Sequence, residues 1–177
     1  MSNWRRLPCD NYDHINKEVW AYLESTNKVN DSKEFWNTVD TLAFVKATPL
    51  LQSWLGSLNL RIRSIGLTVA KSLDDIPPPH IDTPPAKIKL SWPILNCDTT
   101  YNRFFKLDKD IKEYTHIVPP LGGYIFKDIT ELEQIDIMKL EGPALINAGI
   151  PHDVLCSHNT QFPRIGLQLH LWKEPEI

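Results

Sequence analysis

The chain has 177 residues, 42% of them hydrophobic and 23% charged, with a net charge of -3; this suits one domain, residues 1–177, with a core of its own. A weakly acidic balance gives no basic footprint for nucleic acid. The N-terminus lacks the apolar run of a signal peptide, and no stretch approaches the length of a membrane span. Three cysteines, Cys9, Cys97 and Cys156, without CxxC spacing argue against a disulfide framework or a zinc knuckle and fit a reducing cytoplasm.

Residues 1–58 read as a helical support. Apolar residues at helical spacing predict a first helix over 13–23, capped by Asp13. Asp31 and Glu34 have capping-box spacing, which predicts a second helix with Phe35, Val39, Leu42 and Ala43 as its buried stripe. Thr48-Pro49 predicts a third start, because a proline at the first helical position gives up a hydrogen bond the helix does not use.

From about Leu60 the period changes to two, and residues 59–177 read as a β core. Leu60 and Ile62 alternate with Arg61 and Arg63, and Ile65, Leu67 and Val69 continue in the opposite phase. Such a slip predicts a bulge near Ser64. Ile88, Leu90 and Trp92 alternate with Lys87, Lys89 and Ser91 in a second strand. Short strands over 103–107 and 114–118 suggest a hairpin around Asp108-Lys-Asp110, with a further loop over 119–123. Strands over 133–140, 144–147 and from His152 follow, and 164–172 forms the last one. Helices followed by about eight short strands point to a mainly β fold, a jelly roll or sandwich with helices packed outside.

The chemistry concentrates in four residues. His80 and Asp82 lie two positions apart, so in extended backbone they project to one side. With His152 they supply two imidazoles and a carboxylate, the set that holds Fe(II) on one face and leaves the other open. HxD alone is common, and either histidine by itself reads equally well as a satisfied structural residue. Prolines at 77–79 and 84–85 stiffen the backbone around the pair. Asp153 falls on the opposite face from His152, and Cys156 reads as a small buried residue. In the final strand Arg164, Gly166, Gln168 and His170 share one face, while Ile165, Leu167, Leu169 and Leu171 share the other. The apolar face needs a cover, which the helices can provide, so the polar face must look inward. A buried arginine needs an anion: either a carboxylate of the protein or that of an organic co-substrate.

The ordered set His80-Ile-Asp82, Gly149-Ile-Pro-His152-Asp-Val and Arg164-Ile-Gly-Leu-Gln-Leu resembles the Fe(II)/2-oxoglutarate-dependent dioxygenase superfamily, with closest affinity to its prolyl and aspartyl/asparaginyl hydroxylase branches. The resemblance covers residues 60–172. It implies a double-stranded β-helix, His80, Asp82 and His152 as iron ligands, and Arg164 on the distal carboxylate of 2-oxoglutarate. It also implies O2 as co-substrate, with succinate and CO2 released as a substrate is hydroxylated. That substrate would be a peptide, an amino acid or another small molecule. A second co-substrate contact is expected from Asn96, Tyr101 or Arg103. Trp92, Tyr101, Phe104 and Tyr124 could line a substrate mouth or simply fill the core. Two other readings stay open: a non-catalytic jelly-roll binding module, and a cupin-like metal site with His170 or His116 as an extra ligand.

Overall fold

The computed structural model describes residues 2–32, 34–82, 87–106, 114–117, 123–126, 132–173 and 175–177. Three helices, α1 (Tyr12–Ser25), α2 (Thr41–Ala47) and α3 (Pro49–Ser57), lie against a mainly β chain. Its strands are β1 (Trp4–Arg6), β2 (Trp36–Thr38), β3 (Ile62–Ala70), β4 (His80–Asp82), β5 (Ile88–Leu95), β6 (Thr100–Phe105), β7 (Tyr114–Ile117), β8 (Gly123–Phe126), β9 (Gln134–Lys139), β10 (Ala144–Asn147), β11 (His152–Cys156) and β12 (Arg164–Leu171). They form two antiparallel six-stranded sheets, ordered β1-β10-β5-β12-β3-β2 and β7-β8-β4-β11-β6-β9.

The helices cover one face of the first sheet. Ile15, Val19 and Leu23 from α1, Phe44 from α2, and Leu51 and Leu55 from α3 pack with Leu67, Leu90, Trp92, Ile165, Leu167 and Leu169 in one core cluster. The final strand thus buries its apolar side under the helical segment, as its alternation requires. The Trp92 indole donates to Asn16 Oδ1 at 3.1 Å, which resolves the polar handle of that ring under α1.

Several local expectations change. The first helix begins at Tyr12 after Asn11, and Asp13 lies within its first turn. The stretch read as a second helix instead pairs as a strand: Trp36 lies opposite Thr68 and Thr38 opposite Gly66. Capping-box spacing is a local signal, and here edge pairing with β3 overrides it. Helix α2 starts after Asp40, whose carboxylate accepts from Ala43 N at 3.0 Å; its buried residue is Phe44, while Leu42 is 67% exposed. Pro49 does occupy the first turn of α3, but the Thr48 hydroxyl donates back to Phe44 O at 2.8 Å and does not cap α3. The 1–58 segment is therefore not purely helical, since β1 and β2 extend both edges of the first sheet.

Within the β core, the expected bulge falls where His170 pairs with Ser64 and Leu171 with Ile62, so that Arg63 is the extra residue. The proposed hairpin of residues 103–118 is not formed by its two strands: β6 pairs with β11 and β9, and β7 with β8. The turn proposed at Asp108-Lys-Asp110 and most of the loop over 119–123 lie outside the described residues.

Leu167 is fully buried, with β3 on one side, β5 on the other and the helices above. Leu167→Ala should lower unfolding stability by about 2–5 kcal/mol through lost burial and the residual cavity, measured by urea denaturation.

Candidate metal centre

Pleating decides which residues face the space between the sheets. Opposed residues of an antiparallel pair share a face. His152 lies opposite His80 on one side and Phe104 on the other; Val154 is opposite Asn102, and Cys156 opposite Thr100. These residues look toward the first sheet. From that sheet Arg164, Gly166, Gln168 and His170 look back, flanked by Thr68, Ser91 and Lys89 at matching registers.

The interior is divided. Phe104, Met138, Leu140, Ala144 and Ile146 fill the side toward β9 and β10 with apolar atoms. The side toward β3 and β4 is polar, and it holds the predicted set. One ligand atom each from His80, Asp82 and His152 lies within 4.8 Å of the others. The Nε2 of His80 is 4.0 Å from Asp82 Oδ1, and the Nε2 of His152 is 3.8 Å from Asp82 Oδ2. The two rings are 4.5 Å apart between centroids.

The backbone orients both rings. His80 Nδ1 lies 3.0 Å from the Pro78 carbonyl, and His152 Nδ1 lies 2.9 Å from the Ile150 carbonyl. A carbonyl can only accept, so each Nδ1 carries the proton and each Nε2 presents its lone pair to Asp82. That tautomer is the one a metal needs, with the outer hydrogen bond fixing the ring. Asp82 is anchored by its own N–H, which donates to Ala148 O at 3.0 Å. Burial holds the His80 imidazole down at about 4, and the nearby Lys89 charge adds to the depression against the Pro78 contact. His152 is pushed well below its ordinary value, first by burial and then by the charges of His80 and Lys89. Both rings are therefore neutral at neutral pH.

Arg164 is 3% exposed and faces the same interior. Its Nε donates to Thr100 Oγ1 at 3.3 Å, and its charge reaches the Cys156 thiol, whose pKa burial raises and Arg164 opposes. Among the described residues no carboxylate pairs with it. The protein-internal anion that could have explained this arginine is absent from that set. Asp153, on the opposite face from His152, pairs instead with Arg103.

The expected second contacts fall elsewhere. Tyr101 and Arg103 lie opposite Leu155 and Asp153, on the outer face of their sheet. The Asn96 amide donates to Pro163 O at 2.8 Å in an exposed position. Asn102, between Tyr101 and Arg103 on β6, is on the inward face. Among the described residues, Asn102, 4% exposed, has no acceptor for its Nδ2, and Gln168 Oε1 is likewise buried without a donor. Both lie on inward faces, Asn102 opposite Val154 and Gln168 opposite Ser91.

Of the expected mouth aromatics, Trp92 and Phe104 are fully buried in two core clusters. Tyr101 is on the outer face, and the side chain of Tyr124 lies outside the described residues, as does that of His116. The aromatic that touches the centre is Trp36, edge-on to His80 at 5.4 Å between centroids. His170 sits at the opposite end of β12 from Arg164, level with Lys89, and is not part of the His80–Asp82–His152 group.

Lys89 was read only as the polar phase of a strand. The structure buries it to 7% exposure and places its ammonium in contact with Asp82 Oδ2. Burial pulls this ammonium down to about 7.

No family model, curated protein or solved structure matches this chain. Among the described residues no helix is long and apolar enough to cross a membrane.

The buried imidazoles give the metal-free protein a definite pH response. Unfolded histidines take up protons near pH 6.5, whereas folded His80 resists until about 4. Its stability contribution is thus fully present above the unfolded value and is lost as pH falls from there toward 4. In chelator, the melting temperature should fall across that window, and the fall should shrink in His80→Gln. A temperature unchanged between pH 7 and pH 5 would contradict the assignment.

Proposed function

We propose that this protein is an Fe(II)- and 2-oxoglutarate-dependent oxygenase that hydroxylates a peptide or amino-acid side chain. The observation that carries the reading is the convergence of His80, Asp82 and His152, with both imidazole lone pairs turned inward by backbone carbonyls. Two neutral imidazoles and one carboxylate on one side of a space suit Fe(II) and leave its remaining positions open. The strand order supports a double-stranded β-helix: consecutive strands β3, β4, β5 and β6 alternate between the two sheets, as do β9, β10, β11 and β12.

Iron in this set would supply the oxygen chemistry, in which 2-oxoglutarate and O2 give succinate and CO2 while one substrate C–H becomes C–OH. The chain's own residues would do the binding and positioning. Arg164 offers a fixed planar cation, uncompensated among the described residues, for the distal carboxylate of the co-substrate. Thr100 orients that arginine through its Nε. Asn102 Nδ2, a buried donor without an acceptor among the described residues, is available to an oxygen of the same ligand. Gly166 lies between Arg164 and Gln168 on the inward face, and a side chain there would press on Thr68 Oγ1 at 3.3 Å and the Trp92 carbonyl at 3.4 Å. The apolar half, Phe104 with Met138 and Ile146, shields the centre from water on one flank, and Trp36 walls it beside His80. None of these residues need act as an acid or base, since the chemistry is supplied at the metal.

The cupin-like alternative with His170 as an extra ligand is disfavoured by the position of that residue outside the cluster.

Anaerobic addition of Fe(II) and 2-oxoglutarate should produce the weak visible absorption of the metal–keto-acid chelate, and admission of air should yield succinate. His152→Ala should lose both, whereas His170→Ala should keep its iron. Absence of the band and of succinate from the wild-type protein would overturn the proposal. Arg164→Ala should raise KM for 2-oxoglutarate by about 10- to 100-fold, as expected for loss of a charge-assisted contact, with a smaller effect on kcat. An equal loss in kcat with KM unchanged would place Arg164 outside the co-substrate site.

A further inference from the structure

We propose that Lys89 is an internal counter-ion for Asp82: its ammonium holds one oxygen of the ligating carboxylate and competes with an incoming divalent ion for it, setting how tightly the centre holds metal. The inference rests on the metal-centre reading above and concerns a residue that reading does not need.

Lys89 enters from the sheet opposite to β4 and β11. On β5 it lies opposite Ile146 of β10 and His170 of β12, and it reaches across the sandwich to Asp82 Oδ2. The groups facing it are Asp82, His80 and His152 from the second sheet and His170 from its own. Asp82 is the sole carboxylate among them. His80 and His152 are buried with their Nε2 lone pairs inward, and His170 makes no hydrogen bond among the described residues. Burial of a lone ammonium or a lone carboxylate is strongly unfavourable, so each stabilises the other in the interior. Oδ1 of Asp82 is the oxygen nearer His80, while Oδ2 is shared between Lys89 and the direction of His152.

Two consequences follow from charge alone. A divalent ion placed among these three ligands would sit within a few ångströms of a like-charged ammonium, in an interior that screens poorly. Lys89 must therefore weaken metal binding. Without metal, removal of Lys89 leaves Asp82 buried and unpaired, which destabilises the empty protein. A merely structural lysine would lower stability without tightening metal binding, so the opposite signs distinguish the proposal.

The test measures Mn(II) affinity by calorimetry, and the melting temperature in chelator, for the wild type, Lys89→Met and Lys89→Arg. Lys89→Met should bind Mn(II) at least about tenfold more tightly, given the size of a nearby unscreened charge, and melt lower when metal-free. Lys89→Arg keeps the charge and should stay within about threefold of the wild type in affinity. If Lys89→Met does not fold, Lys89→Gln, which can still hydrogen-bond Asp82 without charge, carries the same expectation. Equal or weaker Mn(II) binding by the neutral variant overturns the proposal. No Mn(II) binding by any variant overturns both it and the metal centre. Tighter binding in a protein that forms no succinate supports Lys89 as the counter-ion and removes the oxygenase reading alone.

Discussion

The two-residue pleat of β12 is the constraint on which the rest depends. Its odd-numbered residues are apolar and its even-numbered ones polar, so a single strand cannot satisfy both faces in water. Three helices resolve the apolar face by covering Leu167 and its neighbours. The polar face is then committed to the space between the sheets, where Arg164, Gln168 and His170 meet the inward residues of β4 and β11. Placement of charge in the interior is thus a by-product of how the helices pack. A slip of one residue would turn Arg164 into the core and Leu167 into the polar channel, which is why β12 is held by long ladders on both sides.

Once polar groups are committed to an interior, each must find a partner, and the pattern of partners found and lacking describes the site. The imidazole Nδ1 atoms have theirs in backbone carbonyls. Asp82 has Lys89. Among the described residues, and apart from Asp82 Oδ2, which meets the Lys89 ammonium, Asn102 Nδ2 and Gln168 Oε1 are buried without a hydrogen-bond partner.

Much of this was legible from residue order. His80, Asp82, His152 and Arg164 declare themselves by chemistry and spacing, and the inward phase of Arg164 follows from alternation within its own strand. The parts that escaped depend on pairing between distant segments. The inward phase of Asn102 was not legible because short strands give no indication of which face is inside until a partner, here β11, is known. Lys89 looked like the solvated phase of a strand, since lysine is rarely buried and its carboxylate lies on another sheet. Trp36 was assigned to a helix because a local capping pattern outweighed a pairing with β3 that no local signal announces. Phase and chemistry are local properties; sheet order and ion pairing are not.

The short strand β1 has a consequence for how the molecule can be handled. It joins the first sheet beside β10, yet Trp4 Nε1 and Asn3 Nδ2 donate to the two oxygens of Asp136 on β9, at 3.3 and 3.4 Å, and Arg6 donates to the Lys139 carbonyl at 2.6 Å. A few N-terminal residues therefore act as a clasp across the edge of the sandwich farthest from β2 and Trp36. Trimming them, or fusing a bulky tag directly to them, would loosen the apolar half of the interior while leaving His80, Asp82 and His152, which lie on other strands, in place.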